Sequence, residues 1–247
     1  MRVLMIGATG RYASHVLPEL KSRGVKVRAL VRHKEDEAIA LDRGADETVL
    51  GDLDDARCLI SAAVGADGVF HVGPAFAPHE SQMGVTMVDA AKAAGVRKFV
   101  FSSVIHPSVS KLTNHSSKRP VEEAIYESGM TFTVLQPALF MQTLENGWND
   151  VLKTARFSLP YSRRAKICYV DYRDVAEAAA LAFTGDKLDN GTFELCAPGM
   201  FTRTEVAAIM SEAMGWRIEA GDVSFDEWAQ KASLPEGPVW NLSLIHI

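Results

Sequence analysis

Met1-Arg2-Val3-Leu4-Met5-Ile6-Gly7-Ala8-Thr9-Gly10-Arg11-Tyr12-Ala13 is the stretch on which the reading of this chain turns. The apolar run Val3 to Ile6 stops at one glycine, a second follows three residues on, and Val16, Leu17 and Leu20 then repeat with helical spacing. A strand ending in such a glycine turn brings backbone N–H groups close to a pyrophosphate, and the helix start behind it supplies positive potential. Gly7 makes the tight turn, Gly10 the close approach and Ala13 the small contact between helix and strand. Thr9, Arg11 and Tyr12 share the turn and are expected beside the same ligand. An ordinary strand-to-helix turn carries G-x-x-G-x-x-A as well, so the surroundings must decide.

The surroundings repeat the βα rhythm. Strands are expected at Val25 to Val31, Thr48 to Leu50, Gly68 to Val72, Lys98 to Phe101 and Thr131 to Leu135. Helical stretches lie between them, several closing at Gly24, Gly95 or Gly129. Six strands in this order predict an α/β fold with a doubly wound parallel sheet, and there the glycine turn reads as a dinucleotide site. After Pro137 the rhythm loosens through Phe140, Trp148 and the basic stretch Pro160 to Lys166. A helix over Asp174 to Phe183, a strand around Phe193 and a helix opened by the capping box Thr202-Arg203-Thr204-Glu205 follow. No repeat, low-complexity tract or linker interrupts the chain, so the second region is expected to pack over the edge of the first.

In such a sheet the carboxyl ends of the strands carry the ligand. The second strand ends in Val31-Arg32-His33-Lys34, where an NAD-preferring site usually has a carboxylate for the ribose 2′-hydroxyl. Arg32 instead forks onto a 2′-phosphate, with Arg11 or Lys34 as helpers, which favours NADP(H) over NAD(H); a solvated basic loop is the alternative. Asp52 and Leu53 suit the adenine, though helix capping by Asp52 or Asp54 explains the aspartates equally well. Val72, Gly73 and Pro74 wall the nicotinamide half. Ser102, Ser103 and His106 follow the fifth strand, with His106 readable as a proton donor or as a surface histidine. Lys118 opens a helix from which it can reach the nicotinamide ribose and lower a neighbouring hydroxyl's pKa, or else pair with Glu122 one turn on. Phe76, Phe140 and Trp148 are candidate substrate contacts.

The 247 residues are 47% hydrophobic and 23% charged, the balance of a folded globular chain. With 26 Lys+Arg against 31 Asp+Glu the formal charge is −5, so no basic field recommends nucleic acid or an anionic membrane surface as partner. A small molecule is the expected partner, and a homodimer stays open. Cys58, Cys168 and Cys196 are too scattered for a disulfide framework or a cysteine-based zinc site, and no metal is expected. With no export signal or membrane span read from the sequence, a cytoplasmic location is expected. Leu242-Ser243-Leu244-Ile245-His246-Ile247 is expected to be a non-native tail, because it matches the translation of a transposon end used in making sequencing libraries. A short terminal strand is the alternative. On the first reading the frame was cut short and native C-terminal residues are missing.

The Gly-Ala-Thr-Gly-Arg start, Arg32, Gly51-Asp52-Leu53-Asp54-Asp55, Ser102-Ser103, Lys118 with Glu122, Ser128 to Thr133 with Pro137, and Tyr169-Val170-Asp171-Tyr172-Arg173-Asp174-Val175-Ala176 together resemble the NmrA-like, atypical short-chain dehydrogenase/reductase family. The resemblance implies a Rossmann domain over residues 1–137 with 166–200 packing back on it. It also implies a smaller substrate-covering region of 138–165 and 201–241. Gly7, Gly10 and Ala13 take the family's glycine-turn positions, Arg32 its 2′-phosphate arginine and Lys118 its helix lysine, with Pro137 also at the cofactor. Family members include NAD(P)H-dependent quinone reductases and redox-sensing regulators. One departure matters: the usual Tyr-x-x-x-Lys would place tyrosine where Asn114 stands, and asparagine has no ionisable phenol. The expectation is an NADPH-dependent reductase of an activated acceptor such as a quinone, with Lys118, Ser103 and His106 at the reacting centre. A non-catalytic NADP(H) sensor acting through a protein partner is the alternative.

Overall fold

The computed structural model describes residues 1–11, 13–224, 226, 227 and 230. These fall into two compact units: Met1–Val109, His115–Pro137 and Tyr172–Leu195 form the first, and Ser110–Asn114, Ala138–Asp171 and the chain from Cys196 onward form the second. Of the 166–200 stretch, Tyr172–Leu195 belongs to the first unit, and 166–171 and 196–200 belong to the second.

The first unit is built on β1 (Arg2–Ile6), β2 (Lys26–Val31), β3 (Glu47–Leu50), β4 (Gly68–His71), β5 (Lys98–Ser102), β6 (Thr131–Pro137) and a last strand at Gly191–Leu195. They form one seven-stranded sheet in the order Gly191–Leu195, β6, β5, β4, β1, β2, β3, and every pairing is parallel. β4 and β5 are buried along their whole length, which is why strands sandwiched between helices read as unbroken apolar runs rather than as alternating patterns. Helices α1 (Val16–Ser22), α2 (Glu35–Asp42), α3 (Ala56–Ala63), α4 (Glu80–Ala93), α5 (Thr113–Ser116) and α6 (Arg119–Glu127) fill the crossovers. Leu59, Met87, Val88, Val121 and Ile125 from α3, α4 and α6 cluster with Leu4, Ile6, Val69, Phe99, Phe101 and Val134 from alternate strand positions. The helix Tyr172–Thr184 packs with α1 and against β5 and β6 in a second layer, and Gly68 leaves room for the Phe183 ring beneath β4.

In the second unit Arg156–Leu159 pairs with Glu219–Asp222 and Leu139–Phe140 with Tyr169–Val170, both parallel. Its core gathers Val151, Phe157, Tyr169, Val206, Ala207 and Ile218, and Trp148 packs against it. The expected capping box is present: Thr202 Oγ1 accepts from the Glu205 N–H at 3.2 Å, and Glu205 Oε2 accepts from the Thr202 N–H at 2.7 Å. Arg203, inside that box, is buried and donates to Gly221 O at 2.7 Å and to Tyr161 O, with its guanidinium 4.7 Å above the Tyr161 ring. No helix among the described residues is long and apolar enough to cross a membrane. The Leu242–Ile247 tail lies outside the described residues.

Candidate functional site

The sheet order reverses between β1 and β4, and the crevice of a doubly wound sheet opens at that switch point, outside the strands' carboxyl ends. Both glycines of the turn stand there. Gly7 has φ +83°, and a Cβ on it would lie 2.6 Å from Val72 Cγ1, at the end of β4. The Gly10 N–H donates to Gly7 O at 2.9 Å, and a Cβ on Gly10 would meet that same oxygen at 3.0 Å. The turn is therefore bare backbone folded tightly against the next strand, a shape that suits a pyrophosphate. Ala13 is buried beside it, Thr9 is half-buried and Arg11 exposed, and Tyr12 lies outside the described residues. Arg43, which the sequence did not single out, reaches back from the end of α2 to Ala8 O at 3.4 Å and Gly10 O at 3.3 Å. It ties the turn down through two carbonyls.

Beyond β2, Arg32, His33 and Lys34 are all exposed, with Arg32 Nε donating to His33 Nε2 at 3.2 Å. Asp52 is exposed and accepts from the Asp54 N–H at 3.0 Å. Neither residue caps a helix. The cap of α3 is Asp55, whose carboxylate accepts from the N–H groups of Arg57 and Cys58 at 2.9 and 3.1 Å. That removes the competing explanation for Asp52. Leu53 is partly buried against the core.

At the ends of β4 and β5 a second cluster forms. Lys118 is buried, and its Nζ lies 2.5 Å from Glu80 Oε1 on α4, so its ion pair is with Glu80 rather than with Glu122. Glu80 Oε2 also accepts from Ser117 Oγ at 3.1 Å and from the Phe76 N–H at 3.3 Å. Burial lowers the lysine's hold on its proton, and Glu80 opposes that. Gly73 makes room for this carboxylate, since a Cβ there would stand 3.2 Å from Oε1, and Pro74 lies exposed beside it. His71 is buried in contact with the Phe101 ring, centroids 5.6 Å apart, and burial holds it down at about 3, so it is neutral.

Ser103 is buried and donates to Glu122 Oε1 at 2.5 Å. Gln136 Nε2 donates to the same carboxylate at 2.9 and 3.1 Å, and Tyr126 OH at 3.3 Å. Because its hydroxyl hydrogen is directed at Glu122, Ser103 has none left to offer a bound acceptor, which corrects the expectation that it acts at the reacting centre. His106 is exposed at φ +56°, and its Nδ1 lies 3.6 Å from Glu194 Oε1 on the edge strand. That is the surface-histidine alternative. Ser102 is buried facing the Tyr172 phenol, and Pro137, buried at the end of β6, accepts from the Ile105 N–H at 3.1 Å. Glu80 and Glu122 are the residues that sequence reasoning left without a site role. Only the fold brings Glu80 to Lys118, from 38 positions earlier in the chain.

The sequence of this chain is 33% identical over 229 residues to an NAD(P)H azoreductase of Xenophilus azovorans, spanning 92% of this chain and 79% of that protein. It is 24% identical to quinone oxidoreductase 2 of Escherichia coli, spanning 95% and 83% of the two chains. Among solved structures, the NADPH complex of the Escherichia coli quinone oxidoreductase superposes with a TM-score of 0.85 at 22% identity, covering 98% of this chain and 86% of the other. The NADP(H) complex of a Citrobacter triphenylmethane reductase also gives 0.85 at 22% identity, covering 98% and 87%. These structural likenesses show the Rossmann-type fold. The family description that matches runs over residues 1–242, nearly the whole chain, and this chain belongs to the NmrA-like family.

Proposed function

We propose that this protein is an NADPH-dependent reductase that transfers hydride to a small, electron-poor acceptor such as a quinone. The observation that carries the reading is the pairing of a bare glycine turn against Val72 with a buried Lys118–Glu80 ion pair beside Gly73, both within the first unit at the carboxyl ends of β1 and β4. Gly7, Thr9, Gly10 and Arg11 would hold the pyrophosphate, with Tyr12 and Ala13 completing the turn. Arg32, helped by Arg11 and Lys34, would take the 2′-phosphate, and Asp52 and Leu53 the adenine. Val72, Gly73, Pro74, Ser102 and Pro137 would wall the nicotinamide, and Lys118 would hold its ribose. NADP(H) is preferred over NAD(H) because the residue after β2 is an arginine where a carboxylate would repel the phosphate.

The bound cofactor supplies the hydride; the chain orients and stabilises. Lys118 brings a positive charge into a buried place, where it counts for more than in water. Asn114 stands where a catalytic tyrosine would be, and the Ser103 hydroxyl donates its hydrogen bond to Glu122, so neither of these two residues is set up as an acid toward an acceptor. An acceptor that takes its proton from water suits such a site, and the azoreductase and quinone oxidoreductase names of the relatives support that class. The same two features favour the second reading, a cofactor-binding sensor without turnover. Purified protein mixed with NADPH and a panel of quinones and azo compounds separates the two. Loss of nicotinamide absorbance above background supports the enzyme, and tight binding without turnover supports the sensor.

A further inference from the structure

Glu80 opens α4 with its carboxylate buried, at 4% exposure, and every partner it has there brings a proton: the Lys118 ammonium, the Ser117 hydroxyl and the Phe76 N–H. Phe76 sits at φ +66°, a backbone conformation that a bulky residue keeps only when something holds it, and the bond to Glu80 does so. Among the described residues, titratable groups that face Lys118 from neighbouring elements include Glu80 on α4, His71 on β4 and His115 on α5. Both histidines are neutral near pH 7, because burial lowers each of them. Glu122, one turn along α6, is taken up by Ser103, Gln136 and Tyr126. Among the described residues, the carboxylate that pairs with the buried ammonium is Glu80.

We infer that Glu80 is the positioning residue of the site: it fixes the Lys118 ammonium at the end of β4 and keeps it charged across neutral pH, while tying the loop that carries Phe76 to the start of α6. The inference rests on reading Lys118 as a cofactor contact. A buried lysine that loses its carboxylate gives up its proton by several pH units earlier than a free one, and a neutral amine holds a ribose and a nearby phosphate less well.

The test is NADPH affinity by fluorescence titration from about pH 6.5 to 8.5, together with the Lys118 ¹³Cε shift by NMR, assigned by its absence in Lys118→Met. Wild type is expected to hold its affinity across this range with Lys118 charged throughout. Glu80→Gln is expected to lose about tenfold in affinity between the two ends as Lys118 titrates, and Glu80→Asp to restore most of it. A flat profile in Glu80→Gln, or a wild-type Lys118 already neutral at pH 7, overturns the inference; the second measurement needs no variant of Glu80 to fold. If Lys118→Met binds NADPH as tightly as wild type, the cofactor-contact reading fails, while the Lys118 titration still decides the role of Glu80.

Discussion

Replacing Gly7 by alanine tests the turn on which the site is built. Gly7 has φ +83°, and the added Cβ would stand 2.6 Å from Val72 Cγ1 and 3.6 Å from Val72 O. The left-handed backbone alone costs an alanine about 1–2 kcal/mol, and forcing a methyl into packed side chains adds about 1–3 kcal/mol. Gly24→Ala is the matched control: its φ is +73°, yet a Cβ there meets nothing within 4 Å. Both variants restrict the unfolded chain equally, so the difference between them isolates the contact with Val72. In urea unfolding, Gly7→Ala is expected to be about 1–3 kcal/mol less stable than Gly24→Ala, and to bind NADPH more weakly because the turn shifts away from β4. Equal stabilities for the two variants would refute the close approach of the turn to Val72.

Three further outcomes follow from the geometry. His71 binds no proton in the fold until about pH 3, whereas the unfolded chain takes one near 6.5, so the stability is present above 6.5 and is lost as pH falls toward 3; relative to His71→Leu, wild type should lose about 2 kcal/mol more between pH 6.5 and 5 in urea unfolding, and identical losses would contradict a neutral buried imidazole. Arg32→Glu should weaken NADP(H) by about 10–100-fold while changing NAD(H) far less, the range expected for a charged hydrogen bond to phosphate, and equal losses for both cofactors would retire the 2′-phosphate assignment. Asp55→Ala should cost about 1 kcal/mol as a lost helix cap, with Asp52→Ala and Asp54→Ala nearly neutral in the same melts; a comparable loss in Asp52→Ala would contradict the capping geometry.

The middle of the sheet was legible because its central strands are buried on both faces, so Val3 to Ile6, Gly68 to Val72 and Lys98 to Phe101 stand out as short apolar runs between glycine-punctuated helices. The cap of α3 was harder, since three aspartates stand together at 52, 54 and 55 and only the backbone turn decides which carboxylate reaches the free N–H groups. Lys118 was found from its place at a helix start, but its partner was not. Glu80 looks locally like an ordinary acidic first-turn residue, which suits any helix start, and its role exists only through a contact made by a distant segment. Ser103 was expected at the reacting centre because the direction of a hydroxyl cannot be read from its neighbours in sequence, and Glu122, which takes its hydrogen bond, sits 19 residues on. In the second unit the strands are short and pair over long separations, as Arg156–Leu159 does with Glu219–Asp222. Arg203 reads as a surface helix residue until Tyr161 and Gly221 are seen around it.

Hydride transfer from NADPH to a small acceptor is the proposed reaction at this site. The most direct measurement mixes the protein with NADPH and a quinone under anaerobic conditions and follows nicotinamide absorbance and hydroquinone together. One hydroquinone is expected per NADPH consumed, at a rate proportional to protein and strongly reduced in Lys118→Met. Saturable NADPH binding with no consumption above the protein-free rate, across quinones and azo compounds alike, would contradict it.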